Sequence, residues 1–247
     1  MSANKPYTIE ICAASLASAQ AAFDAGADRI ELCSALSVGG LTPSYALLDA
    51  VRNTIPIPVH VLVRPREGDF LYSDAEYKMM QTEILHIKSM GFAGVVFGLL
   101  NADASIDEER TAALAALARP MKITFHRAFD FVKEPAVALQ KLIDLGFDYL
   151  LTSGLESTAM LGLAQIKSLV AQANNQIQII PASGINENNI LEIAKESQAI
   201  NFHCSLSEAV PSKMKHANML DLGFHLMESS AERIINLKNA LANYHHA

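Results

Sequence analysis

The sequence predicts an α/β protein built as a single (β/α)8 TIM barrel, and three observations support this fold class. Short apolar runs rich in β-branched residues alternate with helical patterns eight times along the chain. The length of 247 residues matches a barrel of this kind. The segment Ile9–Cys12, Ile-Glu-Ile-Cys, recurs as Ile30–Cys33, Ile-Glu-Leu-Cys, with one helical pattern between the copies. Such a strand–helix–strand unit places its strands side by side and parallel.

The same alternation defines every predicted element. The predicted strands are Tyr7–Ile11, Asp28–Leu32, Ile57–Val63, Ala93–Phe97, Met121–Phe125, Asp148–Leu151, Ile177–Pro181 and Ala199–His203. The predicted helices are Ser15–Asp24, Pro43–Asn53, Asp74–Met90, Asp107–Ala118, Pro135–Asp144, Thr158–Gln172, Asn186–Lys195 and Ser229–Tyr244. Several helices end in a glycine that caps them before the next strand. We therefore expect one domain over residues 1–247; a doubly wound open sheet is the alternative, but no dinucleotide fingerprint accompanies the pattern.

Composition excludes several classes of protein. Apolar residues make up 51% of the chain and charged residues 18%, but no apolar run is long enough to span a membrane. The net charge is −7 and no Lys/Arg cluster occurs, so nucleic acid is not an expected partner. Met1–Tyr7 lacks the apolar stretch of a secretion signal, and three cysteines do not suggest a disulfide framework. We expect a cytoplasmic protein with free thiols.

Strand alternation directs an unusual set of polar side chains into the barrel. Residues two apart on a strand share a face, so Glu10 lies with Cys12 and Glu31 with Cys33. The same reasoning adds His60, Leu62, Arg64, Thr124, His126, Asn201, His203 and Ser205 to the interior, and places Cys204 outside. An ordinary barrel fills these layers with Val, Ile and Leu.

Each of these residues also has a structural explanation when it is taken alone. An inward histidine is often a hydrogen-bonded core residue, a glutamate can pair with an arginine such as Arg64, and cysteine often behaves as a small apolar residue. A functional site is favoured because six ionisable side chains point into one volume. They are Glu10, Glu31, His60, Arg64, His126 and His203. The segment Cys204–Glu228, which follows the last predicted strand, is expected to be long and irregular.

Two chemistries fit this interior. The first is acid–base chemistry on an anionic substrate, with candidate catalytic residues Glu10, Glu31, His60, Arg64, His126 and Asp130. Substrate binding would then fall to Arg66, Arg127, Thr152, Ser153, Asn201, His203 and Ser205. We expect His126 to be partly solvated, Asp130 to orient or neutralise a neighbouring cation, and burial to raise the pKa of at least one glutamate.

The second chemistry is metal binding by Cys12 and Cys33. Neighbouring strands run about 4.8 Å apart, so the two thiols should lie within a few ångströms of each other. Paired thiolates suit Cu(I), which prefers sulfur. The loops Ala182–Asn186 and Cys204–Ser207 have two equally favoured interpretations. They form a separate anion-binding site through backbone N–H groups, or they are a plain helix cap.

The motifs IEIC, GADRIELC, GGLTPS, RPREGDFLYSD, TFHRAFD, LTSG and FHCS occur in this order along nearly the whole chain. Together they resemble the CutC family, the copper homeostasis proteins. The resemblance implies a TIM barrel, a cytoplasmic location, a homodimer or higher homo-oligomer, and a role in copper homeostasis with Cu(I) on Cys12 and Cys33. The sequence departs from the family pattern at Val38, Glu67, Ala182, Ser183, Asn201 and Ala217.

Three hypotheses about function follow. The chain is a cytoplasmic barrel that binds Cu(I) and takes part in copper handling, or a small-molecule enzyme acting on an anionic substrate, or a catalytically inert scaffold. A metal near both sulfurs would favour the first, an anion beside Arg64 and His126 the second, and a closed, fully paired interior the third.

Overall fold

Eight parallel strands form the nearly closed barrel that the sequence predicts. The computed structural model describes residues 7–214 and 226–242. The barrel strands are β1 Thr8–Ala13, β2 Arg29–Leu32, β3 Val59–Leu62, β4 Gly94–Phe97, β5 Lys122–Phe125, β6 Tyr149–Thr152, β7 Gln178–Pro181 and β8 Asn201–Cys204. They follow chain order around the sheet, and β8 pairs with β1. Asn201 of β8 donates to the side chain of Gln178 of β7, so these two strands also lie side by side.

The helices surround the strands and bury their apolar sides against them. They are α1 Leu16–Asp24, α2 Tyr45–Thr54, α3 Asp74–Ser89, α4 Glu108–Ala118, α5 Pro135–Asp144, α6 Leu163–Ala173, α7 Ile190–Ser197 and α8 Ala231–Ala242. Local chemistry fixes their starts: α3 opens with a reciprocal capping box between Ser73 and Glu76. The predicted last helix extends to Tyr244, which lies outside the described residues. No helix in the described ranges is long and apolar enough to cross a membrane.

The segment after β8 is more regular than expected. It was predicted to be irregular as far as Glu228, but it contains the antiparallel pair β9 Ser207–Val210 and β10 Leu226–Ser229. Glu228 accepts hydrogen bonds from the hydroxyl groups of Ser15 and Ser18, where α1 begins. A carboxylate is favourable at a helix N-terminus, so this contact holds β10 against the barrel. Residues 215–225, including the departure at Ala217, lie outside the described residues.

The strand register confirms the inward placement of the two repeated glutamates. On one side of β1, Glu10 is paired with Arg29 and Cys12 with Glu31. On the other side, Glu10 is paired with His203. Glu10 is 1% exposed and Glu31 5%. A shift of one residue would have sent both carboxylates toward the helices, so the predicted register is correct.

Two glycines provide space for histidine rings inside the barrel. A Cβ atom built on Gly94 would lie 2.5 Å from the Cδ2 atom of His60. A Cβ atom on Gly98 would lie 2.6 Å from the Nδ1 atom of His126. These separations are far inside van der Waals contact, so each ring occupies the volume that a side chain on the neighbouring strand would otherwise fill.

Candidate functional site

A cavity of about 640 Å³ opens at the C-terminal ends of the strands. Its volume lies within the range typical of small-molecule sites. Seven of the predicted site residues line it: Cys12, Glu31, Arg64, His126, Arg127, His203 and Ser205. The C-terminal face is where TIM barrels place their chemistry, so this cavity is the candidate functional site.

Two thiols meet at the inner end of this cavity. The Sγ atoms of Cys12 and Cys33 lie 3.6 Å apart, and the Cys12 thiol donates to Glu31 Oε2 at 3.4 Å. Cys12 lines the cavity, whereas Cys33 is fully buried and packs with Leu62 and Val96. The hydrogen bond with Cys33, together with burial, raises the pKa of Cys12 well above the ordinary thiol value. The Cys12 side chain is therefore a neutral thiol at pH 7.

A buried network of opposite charges fixes His203. Its Nδ1 atom lies 2.7 Å from Glu10 Oε1, and Arg29 forms an ion pair with the other oxygen of Glu10. Burial alone would raise the pKa of Glu10, but Arg29 and His203 lower it far below the usual range. Burial opposes a charge on His203, but Glu31 and Glu10 raise its pKa. Glu10 is therefore an ionised carboxylate that orients the imidazole ring.

Glu31 has the opposite electrostatic environment. Burial raises its pKa, and the negative charge of Glu10 adds to this effect against the opposing charge of His203. Its Oε1 atom is buried and has no hydrogen-bond partner, while Oε2 lies 3.9 Å from His203 Nε2. The two repeated glutamates therefore differ in proton affinity. Glu31, which lines the cavity, has the higher affinity, and Glu10 has the lower one.

Three side chains at this point have the geometry of a metal site. One ligand atom each from Cys12, Glu31 and His203 lie within 4.8 Å of one another. The sulfur of Cys33 adds a second thiol beside Cys12. Sulfur and imidazole ligands suit copper and zinc, and the unpartnered Glu31 Oε1 is an acceptor that no group in the described chain satisfies. Glu10 holds His203 as carboxylates hold metal-binding histidines in many proteins.

Comparison with known proteins identifies the family of this chain. The sequence profile of the CutC family matches residues 7–208. A human relative, "Copper homeostasis protein cutC homolog", is 47% identical over 86% of this chain and 78% of its own length. A CutC family protein from Vibrio vulnificus is 43% identical over 84% of both chains.

The chain belongs to the CutC family. The crystal structure of a CutC protein from Streptococcus agalactiae superposes with a TM-score of 0.77 at 30% identity, over 81% of this chain and 98% of that one. A phosphoribosylanthranilate isomerase from Thermotoga maritima superposes with a TM-score of 0.60 at 11% identity, over 96% of this chain and 100% of that one. The second likeness shows the barrel fold alone.

His126 of this CutC chain is buried, and the expectation that it is partly solvated was wrong. It is 5% exposed, and its Nδ1 atom accepts a hydrogen bond from the Ala128 N–H at 3.1 Å. Burial and the nearby Arg64 lower the pKa of His126 to about 3. The ring packs against Phe70 from the loop after β3 and lies against Gly98, just beyond β4, so this strand-end residue is shielded from water. Its Nε2 atom has no partner in the described chain.

Asp130 connects the loops after β5 and β6. Its carboxylate accepts from Arg127 Nε at 2.7 Å, from the Thr152 hydroxyl at 2.5 Å and from the backbone N–H of Ser153 at 2.9 Å. The predicted pairing with a neighbouring cation is thus present. Both carboxylate oxygens are occupied, so Asp130 in this arrangement positions the loop and Arg127. Thr152 and Ser153 contact Asp130 and do not line the cavity.

Several other predicted site residues lie away from the cavity. Glu10 and His60 lie below its floor, where burial and Arg29 lower the pKa of His60 to about 4. Arg66 is held by Asp69 in its own loop and by Glu76 in the first turn of α3, and Asn201 bonds to Gln178. Arg64 forms no ion pair with either repeated glutamate; its guanidinium donates to three backbone carbonyl oxygens.

Sequence reasoning missed Arg29 and the aromatic wall of the site. Arg29 precedes Glu31 by two residues, so strand alternation already placed it on the inner face beside Glu10. Phe70 and Phe131 line the cavity from loops. Loop residues have no periodicity, and no sequence signal could have placed these two rings.

The two buried neutral histidines predict a loss of stability in mild acid. His60 and His126 have folded pKa values of about 4 and about 3, below the unfolded value of about 6.5. As the pH falls below about 6.5, the unfolded chain takes up protons that the folded protein does not, so the free energy of unfolding decreases. Each histidine contributes at most about 1.4 kcal/mol per pH unit.

Urea unfolding between about pH 6.5 and 4.5 measures this slope. His126→Asn keeps an acceptor for the Ala128 N–H and removes the titrating ring, so the slope should decrease by up to about 1.4 kcal/mol per pH unit. The matched control is His86→Asn, at an exposed position on α3. An equal decrease in both variants would contradict the assignment.

Proposed function

We propose that this CutC protein binds Cu(I) at the floor of its barrel cavity and takes part in copper handling. The observation that carries the proposal is the 3.6 Å separation of the Cys12 and Cys33 sulfur atoms. Cu(I) prefers sulfur ligands, and two cysteines held this close by neighbouring strands need little rearrangement to share one ion. Copper is the cargo of such a protein.

The surroundings of the thiols support the proposal. Binding requires thiolates, and Glu31 lies in hydrogen-bonding contact with the Cys12 thiol, where it can receive the proton. His203, oriented by Glu10, offers a nitrogen ligand at the same point. The human relative carries copper homeostasis in its name. The proposal includes a reducing cytoplasmic setting and a homo-oligomer, as the family resemblance implies.

Replacing both thiols should abolish stoichiometric Cu(I) binding. The double variant Cys12→Ser/Cys33→Ser removes the sulfur ligands and leaves oxygen atoms, which bind Cu(I) weakly. The measurement is a competition titration against a chromophoric Cu(I) chelator, without oxygen and under reducing conditions. In the wild type, affinity should fall as the pH is lowered, because protons compete for the thiols.

The matched control is Cys204→Ser, which makes the same change at a buried thiol on β8 that packs in the main hydrophobic core and not with Cys12 and Cys33. It should bind Cu(I) like the wild type. Retention of one tightly bound Cu(I) by the double variant, or an equal loss in the control, would refute the site. A preference for Zn²⁺ over Cu(I) in the same titration would refute the choice of ion.

A second candidate function is acid–base chemistry on a small anionic substrate. The observation that favours it is the open cavity, which Glu31 and His203 both line, with Glu31 Oε2 3.9 Å from His203 Nε2. An acid and a base must reach the same bound molecule, and these two groups share one surface. The same open cavity and unpaired atoms speak against an inert scaffold, which requires a closed and fully paired interior.

For this candidate, Glu31→Gln is the informative variant, because it keeps the shape of the side chain and removes its proton transfer. A mixture of cellular metabolites is incubated with the wild type or with the variant and analysed by mass spectrometry. A compound consumed by the wild type should persist with Glu31→Gln. If the wild type consumes nothing that the variant spares, acid–base catalysis through Glu31 is refuted.

A further inference from the structure

Arg64 is a buried cation without a counter-ion. Arg29 and Arg64 are the two arginines buried in the described part of the chain. Arg29 has an ion pair with Glu10, whereas no carboxylate in residues 7–214 or 226–242 pairs with Arg64. Burial of an unpaired charge is unfavourable unless another group compensates for it.

Backbone carbonyl oxygens hold the Arg64 guanidinium in place. Its Nη1 atom donates to Val38 and Gly40 at 2.8 and 2.9 Å, and Nη2 donates to Gly68 at 3.0 Å. These contacts fix its position but supply no net negative charge. Its Nε atom is buried and meets no acceptor in hydrogen-bonding geometry. The buried Tyr72 hydroxyl has no hydrogen-bond partner in the described chain and supplies no charge, because burial raises the pKa of Tyr72 to about 12.

The other charged groups of the cavity are already matched. Arg127 pairs with Asp130, and Arg233 pairs with Glu187. Glu31, the carboxylic acid among the described lining residues, contacts Cys12 and His203. Arg64 is thus the unmatched positive charge of the cavity wall. One such charge calls for one negative charge on a ligand, which fits a monoanion better than a phosphate dianion.

Aromatic rings surround this charge. The guanidinium carbon of Arg64 lies 5.2 Å from the centroid of Phe70, whose ring is 4.9 Å from that of His126. Phe131 lies 5.5 Å from Phe70 and is 65% exposed at the rim of the cavity. An exposed phenylalanine beside a cavity offers a flat apolar surface to a ligand.

We propose that this upper part of the cavity binds a small monocarboxylic acid with a planar apolar group, whose carboxylate pairs with Arg64 and whose planar part lies against Phe70 and Phe131. The assignment names the substrate class for the second candidate function and rests on it. It does not involve the thiols. Glu31 and His203 line the same cavity.

The test is ligand-detected fluorine NMR with 4-fluorobenzoate as the probe. The wild-type protein should bind it saturably. Benzoate should displace it, while benzamide, which has the same shape without the charge, should displace it at least about tenfold less well. Acetate, which lacks the ring, and inorganic phosphate should also be weak competitors. Equal displacement by benzamide, or better displacement by phosphate, would overturn the proposal.

Two variants separate the contributions of charge and ring. Arg64→Gln should weaken binding of 4-fluorobenzoate by about tenfold or more. Phe131→Ala, at an exposed position where folding is little affected, should weaken binding of 4-fluorobenzoate but not of acetate. Its matched control is Leu161→Ala, an equally exposed apolar residue that does not line the cavity.

Because Arg64 also binds three loop carbonyl oxygens, the Arg64→Gln result counts only if circular dichroism and the urea midpoint of the variant match those of the wild type. If they do not, the ligand series and Phe131→Ala decide the matter without it. Binding of the probe without consumption of any carboxylic acid would support the site and count against catalysis. Consumption of an uncharged metabolite, with no probe binding, would support catalysis and refute the carboxylate assignment.

Discussion

Strand β1 pairs in parallel register with β2 on one side and with β8 on the other, and this register decides which side chains meet inside the barrel. It sets Glu10 between Arg29 and His203, and Cys12 beside Glu31. The backbone ladders that fix the register are shared by three strands, so the relative positions of these groups cannot adjust independently. The metal binding and the proton transfer that we propose at this point both depend on that constraint.

The two copies of the repeated phrase serve different electrostatic purposes. Arg29 and His203 keep Glu10 ionised, whereas burial and the charge of Glu10 favour the protonated form of Glu31. Equivalent sequence positions acquire different proton affinities because the barrel gives each strand different neighbours. Glu10 stays below the floor as a positioning group, and Glu31 and Cys12 reach the cavity.

Strand alternation was sufficient to predict the barrel and the residues of its inner layers. It placed Glu10 and Glu31 correctly and brought Cys12 and Cys33 together, because neighbouring parallel strands have a fixed spacing. It could not predict how loops fold over strand ends. The burial of His126 and the aromatic wall of Phe70 and Phe131 depend on loop conformations for which the sequence has no periodic signal.

The choice of ion-pair partners was also beyond the sequence pattern. Arg64 was a reasonable partner for a buried glutamate, but it lies past the end of β3, where the carbonyl oxygens of two loops surround it. Arg29, on the adjacent strand and at the level of Glu10, took that role. The position of each arginine along the barrel axis determines which of them pairs with Glu10, and strand alternation alone does not give that position.

Copper K-edge X-ray absorption of the protein loaded with one equivalent of Cu(I) tests the central claim most directly. The claim is that the register of β1, β2 and β8 builds a sulfur site for this ion from Cys12 and Cys33. The account predicts a first coordination shell containing two sulfur atoms, with a nitrogen or oxygen ligand allowed beside them. A first shell of nitrogen and oxygen atoms without sulfur would contradict it.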